Sequence, residues 1–139
     1  MEKDFKISTE LARLMMQSDE KVMEFVGSVK WATGYSCRYC GNSNFCAGRL
    51  PFSRRCTRCK KEESATAHTL FHNLKFPLHK AFFIAYDVCQ LGNDVSVAGY
   101  AEKLDINPMT CWKFRRRITD CRDRLPSGAG WQQILLMNS

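Results

Sequence analysis

Apolar positions along this chain change their period twice, and each change marks a different kind of structure. In "STELARLMMQ" Leu11, Leu14 and Met15 recur at helical spacing, and in "SDEKVMEFVGSV" Val22, Phe25, Val26 and Val29 follow the i, i+3, i+4, i+7 pattern of an amphipathic helix. Ser18 is placed to cap that second helix, with Asp19 and Glu20 in its first turn, where the positive helix end favours carboxylates. From Thr33 to Ala67 the helical period gives way to Gly, Ser, Asn, Cys and Arg in short alternating segments. This texture predicts strands over 44–48, 52–56 and 62–67, with Leu50 and Pro51 in the first turn. After Pro77 the helical period returns: "LHKAFFIAYDVCQL" is strongly apolar, "SVAGYAEKL" is short, and "PMTCWKFRRRITDCRDRL" is longer and basic. "PSGAG" then reads as a flexible break before the apolar "WQQILLMNS". The predicted organisation is a small α+β chain: N-terminal helices over 1–32, a three-stranded antiparallel unit over 33–76, a three-helix bundle over 77–125, and a linker with a short apolar tail over 126–139.

Length sharpens this picture. At 139 residues and 16.0 kDa, the chain is near the size where a hydrophobic core alone becomes marginal, so its small β unit needs a staple. No run approaches the roughly 18–20 apolar residues of a membrane helix, and the N-terminus lacks the basic-then-apolar pattern of a signal peptide. A cytoplasmic location is therefore expected, and there eight cysteines point to metal or redox chemistry rather than disulfides.

The staple is visible in the cysteines. Cys37 and Cys40 form one CxxC, Cys56 and Cys59 another, and fifteen residues separate them, the spacing of a four-cysteine zinc ribbon. Each CxxC folds into a tight knuckle whose two sulfurs point to one spot, and two knuckles on a hairpin complete a tetrahedron. Gly41 suits a turn with positive φ. A closed four-sulfur shell leaves no position for water or substrate, so the reading is one structural Zn2+ whose binding energy is largely folding energy. A redox dithiol is the competing reading. Cys46 lies mid-strand and is expected as a small buried residue, while His68, His72 and His79 are expected as ordinary polar or partly buried side chains rather than ligands.

A net charge of +7 with a pI near 9.1 favours an anionic partner, although a solvated basic surface has the same composition. Distribution favours the partner. "SVAGYAEKLDINPMTCWKFRRRI" reads as a helix-turn-helix: Ala98, Ala101 and Leu104 form a small apolar face, Asp105 and Ile106 make the turn, and Asn107 caps a helix begun by Pro108. Cys111, Phe114, Ile118, Cys121 and Leu125 form its inward stripe. Thr110, Lys113, Arg116 and Arg117 then face outward as candidate contacts to double-stranded DNA, in the manner of a helix laid in the major groove. Arg49, Arg54, Arg55 and Arg58 on the β unit are candidates for a neighbouring backbone. Trp112 is expected to pack on Phe82 or Tyr86, and Phe82, Phe83, Ile84, Tyr86 and Val88 are expected in the core.

In order, "SDEKVMEFVGSVKWATGYSCRYCGN", the second CxxC, "TLFHNLKFPLHKAFFIAYDV" and the helix-turn-helix stretch resemble the N-terminal region of insertion-sequence transposases that carry a zinc ribbon. The likeness covers about residues 18–124 and rests on Trp31 and Gly34 before the first CxxC, Thr69 and Phe71 after the ribbon, Pro77, Leu78 and Lys80 at a helix start, and Cys111 with Trp112 where the family has an Ala-Trp-like pair. The chain departs from the family at Glu63, where a buried aromatic is usual, at His68, where glycine is usual, and at Ala81, where tryptophan is common. Full-length members continue into a ribonuclease H-like catalytic domain. Here no glutamate follows Glu102, and Asp105, Asp120 and Asp123 all lie within the helix-turn-helix stretch, so no two-metal nuclease is expected. The resemblance implies a DNA-binding, end-recognition module for DNA transposition, expected here without enzymatic activity because those carboxylates are missing. The alternative is a protein-interaction adaptor or accessory subunit, in which Trp131, Ile134, Leu135 and Leu136 of the tail contact a transposase subunit or a second copy. Neither reading involves a membrane or a small-molecule substrate.

Overall fold

A computed structural model of the chain describes residues 13, 14, 17–32, 34–89, 92, 93, 95–125, 133, 134 and 136. The helix expected over 8–17 falls mostly outside these residues. Four helices, a three-stranded antiparallel sheet and a four-cysteine cluster make a small α+β fold among the described residues. No helix among them is long and apolar enough to cross a membrane.

Helix α1 spans Asp19–Lys30 and begins as its sequence dictates: extended Ser18 accepts a hydrogen bond from the Lys21 N–H at 3.4 Å. Val22, Val26 and Val29 bury one face of it. Its other contacts reach the β unit. A Cβ on Gly27 would lie 3.3 Å from the Cβ atoms of Phe52 and Ala65, and Trp31 donates its indole N–H to the Phe52 carbonyl at 3.0 Å.

Strands β1 (Phe45–Ala47), β2 (Arg54–Cys56) and β3 (Glu62–Glu63) pair antiparallel in sequence order, with Cys46 opposite Arg55 and Arg55 opposite Glu62. All three are shorter than the sequence pattern predicts. The β1–β2 connection is drawn tight by Glu62, whose carboxylate accepts the N–H groups of Arg49 and Leu50 at 2.7 and 3.2 Å and the Ser53 hydroxyl at 3.1 Å. Gly48 is required there, since a Cβ would meet Ser53 Oγ at 2.2 Å. The third strand stops at Glu63 because Ser64 and Ala67 turn their carbonyls to the Lys30 ammonium, at 2.7 and 2.6 Å, instead of to a strand. Cys46 is exposed, contrary to expectation, on a three-residue strand at the edge of the sheet.

Helices α2 (Leu78–Cys89), α3 (Val97–Leu104) and α4 (Pro108–Asp123) follow. Ile84, Phe82, Ala81 and Ala85 of α2 are fully buried and share one core with Val22 and Val26 of α1, Leu70 and Phe71 of the preceding segment, and Tyr100, Ala101, Cys111, Phe114, Ile118 and Cys121. The α3–α4 turn is narrow. Asp105 takes the left-handed conformation at φ 55°, Ile106 N–H returns to the Ala101 carbonyl at 3.0 Å, and extended Asn107 accepts the N–H groups of Met109 and Thr110 at 2.8 and 3.4 Å. A polar link fixes α3 to α2: Tyr100 donates its hydroxyl to buried Asp87 at 2.7 Å, and Asn93 donates its amide to the other carboxylate oxygen at 2.7 Å. Phe82, Ile84, Tyr86 and Val88 are buried as the sequence predicts. Trp112 is not packed on Phe82 or Tyr86. Phe114 reaches the interior instead, against Phe71 and Phe76, while Phe82 stacks with Tyr86 and meets Phe25, so the indole is left 45% exposed.

Candidate metal centre and basic helix face

The two CxxC knuckles have the same backbone design. Cys37 N–H bonds the Asn42 carbonyl at 2.8 Å, and Gly41 N–H returns to the Cys37 carbonyl at 2.9 Å. Cys56 N–H bonds the Lys61 carbonyl at 3.0 Å, and Lys60 N–H returns to the Cys56 carbonyl at 3.1 Å. The fourth residue after each leading cysteine is left-handed: Gly41 at φ 77° and Lys60 at φ 66°. Glycine meets this demand without cost, whereas lysine adopts it under the constraint of the turn.

Folded this way, the knuckles direct all four sulfurs to one point. Cys37, Cys40, Cys56 and Cys59 place their Sγ atoms within 4.8 Å of one another, with Cys37–Cys59 and Cys40–Cys56 each at 3.5 Å. A tetrahedral ion with metal–sulfur bonds of about 2.3 Å needs sulfurs about 3.8 Å apart, so the geometry fits a thiophilic metal. Backbone N–H groups aimed at sulfur prepare the charge. Burial works against ionisation of Cys56, but the N–H groups of Cys59 and Arg58 and the Asn42 amide, each at 3.4 Å, outweigh it and bring the thiol down to about 5. Burial likewise opposes the Tyr39 and Cys40 N–H groups at Cys37, which end by lowering it. At Cys59 the Lys61 N–H pulls downward, yet burial and the neighbouring thiols push it up to about 11. Four bare thiolates so close repel one another, and a divalent cation removes that repulsion. Tyr35 beside them is pushed up to about 12, first by burial and then by cysteine charge, and stays a neutral phenol.

Around this centre lie residues the sequence pattern did not mark. The Asn42 amide N–H2 contacts Cys56 Sγ, the Asn44 carbonyl at 3.1 Å and Thr57 Oγ1 at 3.1 Å, and so links the knuckles. Glu63 accepts from Lys30 at 2.8 Å and from Arg38 at 3.0 Å, both of its partners coming from outside the sheet. The Lys30 ammonium is buried, which lowers its pKa against the opposing pull of Glu63. Residues so far apart along the chain carry no local signal of this link. The three histidines have other partners: His68 stacks on His72, with centroids 5.3 Å apart, and His79 pairs with Asp19 at 2.5 Å.

On α4 the predicted inward stripe of Cys111, Phe114, Ile118 and Cys121 is buried and Leu125 half-buried. The outer face differs in part from the expected one. Lys113 and Arg116 are exposed, together with Met109 and Trp112, and the Arg116 guanidinium lies 5.3 Å over the Trp112 indole. Thr110 is half-buried. Arg117 turns sideways and donates to the Leu70 and His72 carbonyls at 3.1 and 2.7 Å, clamping the segment before α2. The four β-unit arginines are not brought together on one surface. Arg54 is held between the Phe45 and Trp31 rings, at 4.0 and 4.9 Å, and burial lowers its pKa. Arg55, next along β2, projects to the opposite face and donates to the Lys60 carbonyl at 3.2 Å. Arg49 and Arg58 are exposed in the turns. Above Arg54 opens a cavity of about 670 Å³ lined in part by Trp31, Phe45, Leu50 and Phe52. No protein-family model, curated protein or solved structure matches the chain.

Proposed function

We propose that this protein is a zinc-stabilised module that binds double-stranded DNA, akin to the end-recognition region of zinc-ribbon transposases. In this reading Cys37, Cys40, Cys56 and Cys59 hold one structural Zn2+, and α3, its turn and α4 form a helix-turn-helix. Zinc is the choice for a closed four-thiolate shell in a cytoplasmic protein. The observation that carries the function is the outer face of α4: Lys113 and Arg116 stand exposed in the first nine residues of a helix capped by Asn107 and braced across α3. Such a helix fits the major groove with base edges at its N-terminal half. Two departures from the resembling family are accommodated locally. His68, where glycine is usual, has φ 59°, a conformation that favours glycine, and Glu63, where a buried aromatic is usual, is only 12% exposed with its charge met by Lys30 and Arg38.

The test is binding of the zinc-loaded protein to a pool of duplexes at increasing salt. Affinity should fall steeply as salt rises, because pairing of cations with phosphates releases counterions. Neutralising Lys113 and Arg116 should flatten that slope by about one unit for each phosphate that is no longer paired. Undetectable or salt-independent binding overturns the reading.

A protein-interaction adaptor is the second reading, and the apolar cavity at Trp31, Phe45, Leu50 and Phe52 favours it. In the tail Ile134 is buried in the core and Leu136 is exposed, while Trp131 and Leu135 lie outside the described residues. A constant monomeric mass across concentrations, with no co-purifying protein, counts against it.

A further inference from the structure

The outer face of α4 carries two large apolar side chains that the fold does not use. Met109 is 59% exposed and Trp112 45% exposed. With Lys113 and Arg116 they stand at i, i+3, i+4 and i+7 on one side of the helix, from its first turn to its middle. Exposed indole and thioether surface on an otherwise charged face is unfavourable in water, and neither side chain contributes to the core. The indole has one cation against it and a cavity beside it. The Arg116 guanidinium lies 5.3 Å over its ring, and a cavity of about 420 Å³ beside it is lined by Val95, Val97, Arg115 and Arg116, with Arg115 Nη1 donating to the Val95 carbonyl at 2.5 Å. This face therefore offers an exposed apolar surface beside two cations.

Of the four bases, thymine alone presents a methyl group in the major groove, and the other edges are polar donors and acceptors. We propose that the outer face of α4 selects thymine-containing duplex DNA by burying thymine methyl groups against Trp112 and Met109, with Lys113 and Arg116 fixing the register on neighbouring acceptors. This rests on the duplex-DNA reading above and names the feature of the duplex that is read.

The experiment begins with duplexes selected by the zinc-loaded protein from a random pool. Each selected thymine is then replaced by uracil, which keeps the hydrogen-bonding edge and removes only the methyl. Affinity, read by fluorescence anisotropy, should drop about fourfold for each contacted methyl, the worth of one buried methylene-sized group. Trp112→Ala should abolish the thymine–uracil difference at one position and Met109→Ala at another, while Trp112→Phe retains part of it. Zinc content and circular dichroism confirm that each variant is folded, which its exposed position favours. Equal affinity for thymine and uracil duplexes overturns the proposal, as does a Trp112→Ala loss identical for both, or tighter binding to the matching single strand. Failure to bind any duplex at low salt instead removes the DNA reading itself, and this proposal with it.

Discussion

Cys46 and Cys56 both lie in strands, yet they have opposite fates, and the difference is testable at single side chains. Cys56 is fully buried and receives three N–H groups at sulfur, whereas Cys46 is exposed on the edge strand. Cys56→Ser should abolish metal binding and unfold the sheet, while Cys46→Ser should leave metal stoichiometry and the circular dichroism spectrum unchanged. Elemental analysis beside far-ultraviolet spectra decides both. Arg117 and Lys113 separate in the same manner. Arg117→Ala removes a charged donor from two carbonyls and should cost about 1–3 kcal/mol of stability, read from urea midpoints. Lys113→Ala should leave stability within about 0.5 kcal/mol and weaken DNA binding alone. The sequence distinguished the four clustered cysteines from the rest through their spacing. It did not separate Arg117 from Lys113, because the carbonyls that claim Arg117 belong to Leu70 and His72, which only folding brings near.

Elements depend on a few backbone positions whose cost is recoverable. Lys60 occupies the left-handed position that Gly41 fills in the other knuckle. Lys60→Gly should therefore stabilise the metal-loaded protein by up to about 1 kcal/mol, visible as a raised thermal midpoint. No stabilisation would mean that the two knuckles are not equivalent in solution. The β1–β2 turn depends on Glu62 and on pH. The Arg49 and Leu50 N–H groups, in that order, hold its carboxyl below the usual value of 4.5, with burial opposing them. A folded-state pKa below the unfolded one contributes stability that is present above 4.5 and lost as pH falls toward the folded value. Acid also releases metal from thiolates, so the informative quantity is the difference from Glu62→Gln, whose stability should lose this part of the acid dependence. Parallel acid profiles for the two proteins would exclude the turn as its source. Helix starts were legible in the chain: Ser18 and Asn107 cap α1 and α4 as their residue types dictate. Strand lengths were not, because Lys30 takes the Ser64 and Ala67 carbonyls that a longer β3 would have used.

At the scale of the molecule, the metal centre and the helical core are joined through α1. Gly27 admits Phe52 and Ala65, Trp31 caps the Phe52 carbonyl, and Lys30 ties the end of β3. Chelating the metal should therefore melt the sheet and also lower the stability of the bundle, whose α1 loses its partner. Calorimetry with and without chelator checks this: two transitions that shift together support the coupling, and an unaltered upper transition refutes it. Sequence alone determined the order of helices and strands, the four sulfurs that converge, the caps, and the inward stripe of α4, since each depends on local spacing and residue chemistry. Tertiary structure decided which side chains remained for the outside. Trp112 is not taken up by Phe82 or Tyr86, Arg117 is drawn to carbonyls of a distant segment, and the indole is left on the outer face beside Lys113 and Arg116. Both outcomes follow from competition among neighbours for one volume and for a few hydrogen-bond acceptors, and that competition has no expression in the order of residues along the chain.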